Sequence, residues 1–147
     1  MEKRELSFED IQGGAYALAT KIVESGYKPG IIVGLSRGGL LPAVMLSHIL
    51  DVGMIPFSLS LRDNTSIQHE FELLDGFGNI LVVDDINDSG VTFDGVVDNI
   101  MAHNDIKRDK IKTVSLWTRH SSKFKVDFTT NNVDTDDWIV FPWEQEN

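Results

Sequence analysis

Apolar residues recur along the chain in two patterns, one at helical spacing and one as short unbroken runs. Over residues 8–26, Ile11, Ala15, Leu18, Ala19, Ile22 and Val23 follow one another at three- and four-residue intervals, which predicts an amphipathic helix ended by Gly26. Ile31-Ile32-Val33-Gly34-Leu35 is too short and too uniformly apolar for a surface helix and predicts a buried strand. Ser36-Arg37-Gly38-Gly39 then makes a glycine turn, and residues 40–50 read as a second helix. Residues 55–61 predict another strand, and the polar stretch over 62–78 a mobile loop.

Strand, turn and helix then repeat. Asn79-Ile80-Leu81-Val82-Val83 is the cleanest buried strand, and it ends in Asp84-Asp85-Ile86-Asn87-Asp88-Ser89-Gly90-Val91-Thr92 before a helix carrying Val96, Val97, Ile100 and Met101. Residues 111–118 supply one more strand, 126–129 a short one, and 138–143 an aromatic tail. Strands alternating with helices predict an α/β domain with a mainly parallel central sheet flanked by helices. Ligands of such sheets bind beyond the C-terminal strand ends, where both glycine turns fall.

The length of 147 residues and a hydrophobic content of 41% suit one domain over residues 1–147. A formal charge of −10, from 23 acidic and 13 basic residues, argues against gripping a nucleic-acid backbone. No apolar stretch is long enough to span a bilayer, and the absence of cysteine excludes disulfides and thiolate chemistry, so a cytoplasmic location is expected. The four histidines, His48, His69, His103 and His120, lack metal-ligand spacing and are expected on the surface or in packing. Asp134, Asp136, Asp137, Glu144 and Glu146 are expected to be solvated charge.

The chemistry concentrates after the strand that ends at Val83. Asp84 and Asp85 can accept from sugar hydroxyls or hold a hard cation. Gly90, the hydroxyls of Ser89 and Thr92 and the exposed N–H groups of a starting helix can cradle a phosphate. In the earlier turn, glycines permit close backbone approach to an anion, and Arg37 adds a planar, permanently charged fork.

Val82-Val83-Asp84-Asp85-Ile86-Asn87-Asp88-Ser89-Gly90-Val91-Thr92 resembles the phosphoribosyl pyrophosphate (PRPP) motif of the type I phosphoribosyltransferases, differing where Val91 replaces a frequent glycine. Gly34-Leu35-Ser36-Arg37-Gly38-Gly39-Leu40-Leu41-Pro42 resembles the pyrophosphate loop of the small bacterial xanthine-guanine and hypoxanthine branch, and Asp137-Trp138-Ile139-Val140-Phe141-Pro142-Trp143-Glu144 its C-terminal part. The resemblance implies a hood formed largely by residues 119–147, and transfer of ribose 5-phosphate from PRPP to a nucleobase, most simply a 6-oxopurine, with release of pyrophosphate and a nucleoside monophosphate. It implies Mg²⁺ at Asp84 and Asp85, the 5-phosphate at Asp88, Ser89, Gly90, Val91 and Thr92, and pyrophosphate at Ser36, Arg37, Gly38 and Gly39, with a cis peptide between Ser36 and Arg37. Asp88 is expected to manage a proton on the imidazole part of the base. Trp138 would stack on the base, Ile139 would offer backbone groups, and Arg119 would stand where the branch carries a lysine facing the 6-oxo group. A homo-oligomer, dimer or tetramer, is also implied. The alternatives are a phosphoribosyltransferase for another base, a non-catalytic PRPP sensor, for which no basic DNA-binding segment is visible, and a receiver-like or hydrolase domain that would leave Ser89 to Thr92 unexplained.

Overall fold

The computed structural model describes residues 2–58, 74 and 76–144. In chain order these form β1 (Lys3–Glu5), α1 (Phe8–Ser25), β2 (Ile31–Ser36), α2 (Leu40–Leu50), β3 (Met54–Ser58), β4 (Ile80–Asn87), α3 (Val91–His103), β5 (Ile111–Arg119), β6 (Phe128–Val133) and β7 (Trp138–Val140). The expected loop over 62–78 and the end of the strand expected over 55–61 lie largely outside the described residues.

Five strands form a parallel sheet in the order β3-β2-β4-β5-β6. Alternate residues face opposite sides, and both sides are covered. Ile32, Leu81, Val83, Val114 and Leu116 pack with Ile11, Leu18 and Ile22 of α1 and with Ala43 and Leu46 of α2. Ile31, Val33, Leu35, Ile80 and Val82 pack instead with Phe93, Val96, Val97 and Ile100 of α3. This is why β2 and β4 read as unbroken apolar runs: neither face meets water.

The caps of α1 are local. Ser7 Oγ accepts from the Asp10 N–H at 3.1 Å while Asp10 Oδ2 accepts from the Ser7 N–H at 2.8 Å, a reciprocal capping box. Gly26, at φ 81°, closes the helix where the apolar spacing stops. A second, two-stranded parallel sheet pairs β1 with β7, setting Lys3 opposite Trp138 and Arg4 opposite Ile139. Of the C-terminal residues expected to form the hood, β6 extends the main sheet and β7 turns to β1.

Candidate active site

β4 continues through the acidic pair to Asn87 rather than stopping at Val83. Its neighbour accounts for this: Asp84 pairs with Ser115, Ile86 with Trp117 and Asn87 with Thr118, so β5 carries the ladder beyond the apolar run. The turn that follows is braced from behind. Asn87 is buried, its Nδ2 donates to the Phe124 carbonyl at 2.7 Å, and its Oδ1 accepts from Ser122 Oγ at 2.8 Å. Lys123 N donates to the Ser89 carbonyl at 3.1 Å. Gly90 starts α3 at φ 94°, and a Cβ on it would lie 2.6 Å from Phe124 N. Glycine is therefore required here by the packing behind the turn as well as by its dihedral angle.

In front of the turn, a cavity of about 160 Å³ is lined by Asp84, Asp88, Ser89, Gly90 and Thr92. The N-cap residue Gly90 has no side chain to cap α3; the Val91 N–H donates to Ser89 Oγ at 3.3 Å, and the N–H groups that follow it at the helix start suit an anion in this cavity.

The glycine turn stands on the other side of β4. The Ser36–Arg37 peptide is cis. Gly39 N donates to the Leu35 carbonyl at 2.8 Å, and Leu40 N to the Arg37 carbonyl at 3.1 Å. A larger cavity of about 780 Å³ opens here, lined by Arg37, Gly38, Leu41, Asp85, Trp143 and Glu144. That volume is in the range of small-molecule sites. Trp143 and Glu144 carried no functional expectation, yet both face this cavity. Trp143 stacks on Phe141 with ring centroids 5.0 Å apart, and Glu144 accepts from the Phe141 N–H at 3.1 Å. No spacing in the sequence signals either residue, because their place depends on the turn at Pro142–Glu144.

Consecutive strand residues point to opposite sides, so Asp84 lines the small cavity and Asp85 the large one. The pair joins the two. Burial, followed by repulsion from Asp85, pushes the Asp84 carboxyl up to about 8. Burial also raises Asp85, with hydrogen bonds to its carboxylate opposing that rise and nearby Glu144 adding to it. Two carboxylates held together in a poorly hydrated place favour a proton or a cation between them.

The third region lies at β7. Trp138 is 54% exposed, and Lys3 Nζ lies 5.2 Å from the centroid of its ring, while Ile139 is buried. Asp137 departs from its expected solvated state. It is buried, with Oδ2 accepting from Arg4 Nε at 2.6 Å and Oδ1 from Glu2 N at 3.3 Å. Arg119, at the end of β5, places Nε 2.6 Å from Asp88 Oδ1 and donates from Nη1 and Nη2 to the carbonyls of Thr135 and Asp137. Arg119 thus touches both the turn after β4 and the segment leading to Trp138.

Comparison with known proteins finds relatives over nearly the whole chain. The phosphoribosyl transferase domain family matches residues 7–146. The chain belongs to that family. Its similarity to xanthine-guanine phosphoribosyltransferase of Desulfotalea psychrophila is 29% identity over 97% of this chain and 86% of that protein. To the Cereibacter sphaeroides protein of the same name it is 32% identical, over 95% of this chain and 85% of the other. The crystal structure of a purine phosphoribosyltransferase from Pyrococcus horikoshii superposes with a TM-score of 0.80 at 30% identity, covering 100% of this chain and 97% of that one. The xanthine-guanine-hypoxanthine phosphoribosyltransferase of Helicobacter pylori gives 0.80 at 25% identity, over 97% and 94% of the two chains. The fold, a parallel central sheet with flanking helices, is thus shared with these phosphoribosyltransferases. No helix among the described residues is long and apolar enough to cross a membrane.

Proposed function

We propose that the protein transfers ribose 5-phosphate from PRPP to a 6-oxopurine, one of hypoxanthine, guanine and xanthine, releasing pyrophosphate and the nucleoside monophosphate in purine salvage. The observation that carries this assignment is the meeting of two cavities at Asp84 and Asp85, one backed by a helix start and the other bordered by Arg37. A sugar bearing a phosphate at one end and a pyrophosphate at the other matches that division. The names of the relatives support the purine.

In this assignment the 5-phosphate accepts from the N–H groups and hydroxyls of residues 88–92. The ribose hydroxyls donate to Asp84 and Asp85, and Arg37 with the glycine turn holds the pyrophosphate. Transfer breaks the C1–oxygen bond to pyrophosphate, which leaves with the bonding pair, and forms a bond from C1 to a nitrogen of the base. The proton lost by the imidazole ring passes toward the Asp88 carboxylate, or from it to solvent. Trp138 offers a stacking face, and Ile139 offers backbone groups to the ring edge. Arg119 borders the base through the N–H groups that its three contacts leave over.

Mg²⁺ fits the donor set, because two adjacent, half-buried carboxylates of raised pKa that line the cavities are relieved by a hard cation. Asp84 and Asp85 would hold it directly or through water. When bound, the ion supplies charge neutralisation for the departing pyrophosphate.

The test is pyrophosphate release from PRPP with Mg²⁺ and a panel of hypoxanthine, guanine, xanthine, adenine, uracil and orotate. Release is expected with the 6-oxopurines. Release with none of the six bases overturns the assignment.

A further inference from the structure

Arg119 contacts both the turn after β4 and the segment before β7. Its three nitrogens are bound to three different residues: Nε to Asp88 Oδ1 at 2.6 Å, Nη1 to the Thr135 carbonyl at 3.1 Å and Nη2 to the Asp137 carbonyl at 2.7 Å. The guanidinium is largely buried, at 18% side-chain exposure, whereas the Asp88 side chain is 67% exposed, so water competes least for the bond to the Asp137 carbonyl.

The connection continues past Asp137. Its carboxylate is held by Arg4 Nε at 2.6 Å and by the Glu2 N–H at 3.3 Å, while the Trp138 N–H donates to the Glu2 carbonyl at 2.8 Å. A continuous path of hydrogen bonds therefore runs from Asp88 through Arg119 and Asp137 to β1, and β1 pairs with the strand that carries Trp138 and Ile139.

We propose that Arg119 is a positioning residue that ties the 5-phosphate turn to the base-side strand, with Asp137 and Arg4 anchoring the far end of the tie. This deepens the phosphoribosyltransferase assignment and rests on it for its effect on turnover. The tie fixes the separation between the group that cradles the phosphate and the ring that receives the base. Sugar and base must meet within about 3–3.5 Å at the reacting atoms, so a loose separation costs productive encounters. Arginine is required for geometric reasons: one planar fork reaches three acceptors on two segments, whereas a lysine ammonium is a point donor on a flexible stem.

The experiment uses the full chain as wild type, Arg119→Lys and Arg4→Ala, with two readouts. The first is hydrogen exchange by mass spectrometry without substrates, following residues 88–92 and 135–140 against the core strand β2. Arg119→Lys is expected to speed exchange in both segments by about tenfold, the factor that loss of one or two charge-assisted hydrogen bonds gives, and to leave β2 unchanged. Arg4→Ala is expected to speed residues 135–140 most. The second readout is the steady-state KM of hypoxanthine and of adenine. Arg4→Ala, which removes the contact with Asp137, is expected to raise both KM values by the same factor, because placement is indifferent to the exocyclic group. Wild-type exchange rates in either segment of Arg119→Lys overturn the tie. Loosened segments with unaltered purine KM in both variants overturn the positioning role. A wild-type protein that turns over none of the bases refutes the enzymatic assignment instead, and the exchange readout still decides whether the tie exists.

Discussion

Asp85 lies so close to Gly38 that a Cβ on the glycine would come within 2.0 Å of Asp85 Oδ2. Gly39 is pressed in the same direction, against backbone: its Cβ would lie 2.4 Å from the Val83 carbonyl and 2.7 Å from that of Leu35. The glycines of this turn are thus needed for its contact with β4 before any ligand arrives. Gly39→Ala is expected to cost about 1–3 kcal/mol of stability, since the backbone cannot yield cheaply. Gly38→Ala should cost less, because a carboxylate can swing aside, but PRPP affinity should fall as Asp85 is displaced. Urea denaturation and calorimetry on both variants check the contrast. Equal stability loss for the two would contradict it.

The Asp84 carboxyl, raised from 3.8 to about 8, makes a prediction about pH. A raised folded-state pKa means that the native state binds the proton more tightly than the unfolded chain does. The associated stabilisation is complete below the unfolded value and is lost as pH climbs through the folded one. In the presence of a chelator, wild-type stability should decline between about 4 and about 8, and Asp84→Asn should flatten that decline. Added Mg²⁺ should recover stability at the upper end of the window more in the wild type than in Asp84→Asn. Urea midpoints at both ends of the window, for both proteins, are the measurement.

Arg37 faces the larger cavity, which Asp85 also lines. Arg37→Ala is expected to weaken PRPP and pyrophosphate by about tenfold or more, the scale of a lost charge-assisted contact, and the nucleoside monophosphate much less. Titration calorimetry with the three ligands separates the cases. An equal loss for all three would make Arg37 a structural residue.

For the turn proposed to hold the 5-phosphate, the informative substitution is not at Gly90. Any side chain there meets Phe124 and forces a left-handed backbone on an L-residue, so Gly90→Val should damage folding whatever the turn binds. Thr92→Val keeps shape and removes a hydroxyl. It is expected to weaken PRPP by about threefold to tenfold with the urea midpoint unchanged. Unchanged PRPP affinity would remove Thr92 from the phosphate site.

At the base, Trp138→Ala should weaken every purine, because stacking is indifferent to the exocyclic substituent. Arg119→Ala should lower the kcat/KM ratio of hypoxanthine to adenine, since a donor that suits an oxo group opposes an amino group. A ratio that does not move would leave Arg119 with positioning as its role at the base.

The sequence disclosed most where burial was symmetrical. β2 and β4 are covered on both faces, so their apolar runs were unambiguous, and the two glycine turns at their ends could be placed at once. Legibility failed where pairing rather than burial makes the structure. β1 is Lys3, Arg4 and Glu5, all exposed, and has no apolar signature; it is a strand because β7 offers a ladder. β6 begins at Phe128, two residues later than the pattern of Val126 suggested, because Asp127 turns its carboxylate to the Thr113 N–H and hydroxyl. Trp143 and Glu144 were passed over for a different reason. Their place beside Arg37 depends on the turn after β7, which no local spacing encodes.

The pairing of β1 with β7 also has a consequence for the order in which the molecule assembles. Arg4 and Asp137 are separated by 133 positions, so their meeting closes nearly the largest loop the chain contains. The entropic cost of closing a loop grows with its length, and such contacts form only after shorter-range ones have shortened the path between their ends. The two halves of the proposed site therefore mature at different times. The phosphate turn is built from neighbouring β4 and α3 and comes with the sheet, whereas the Trp138 platform waits for the ends of the fold to find each other. A partly folded chain would possess an anion pocket before it possessed a place to set a base.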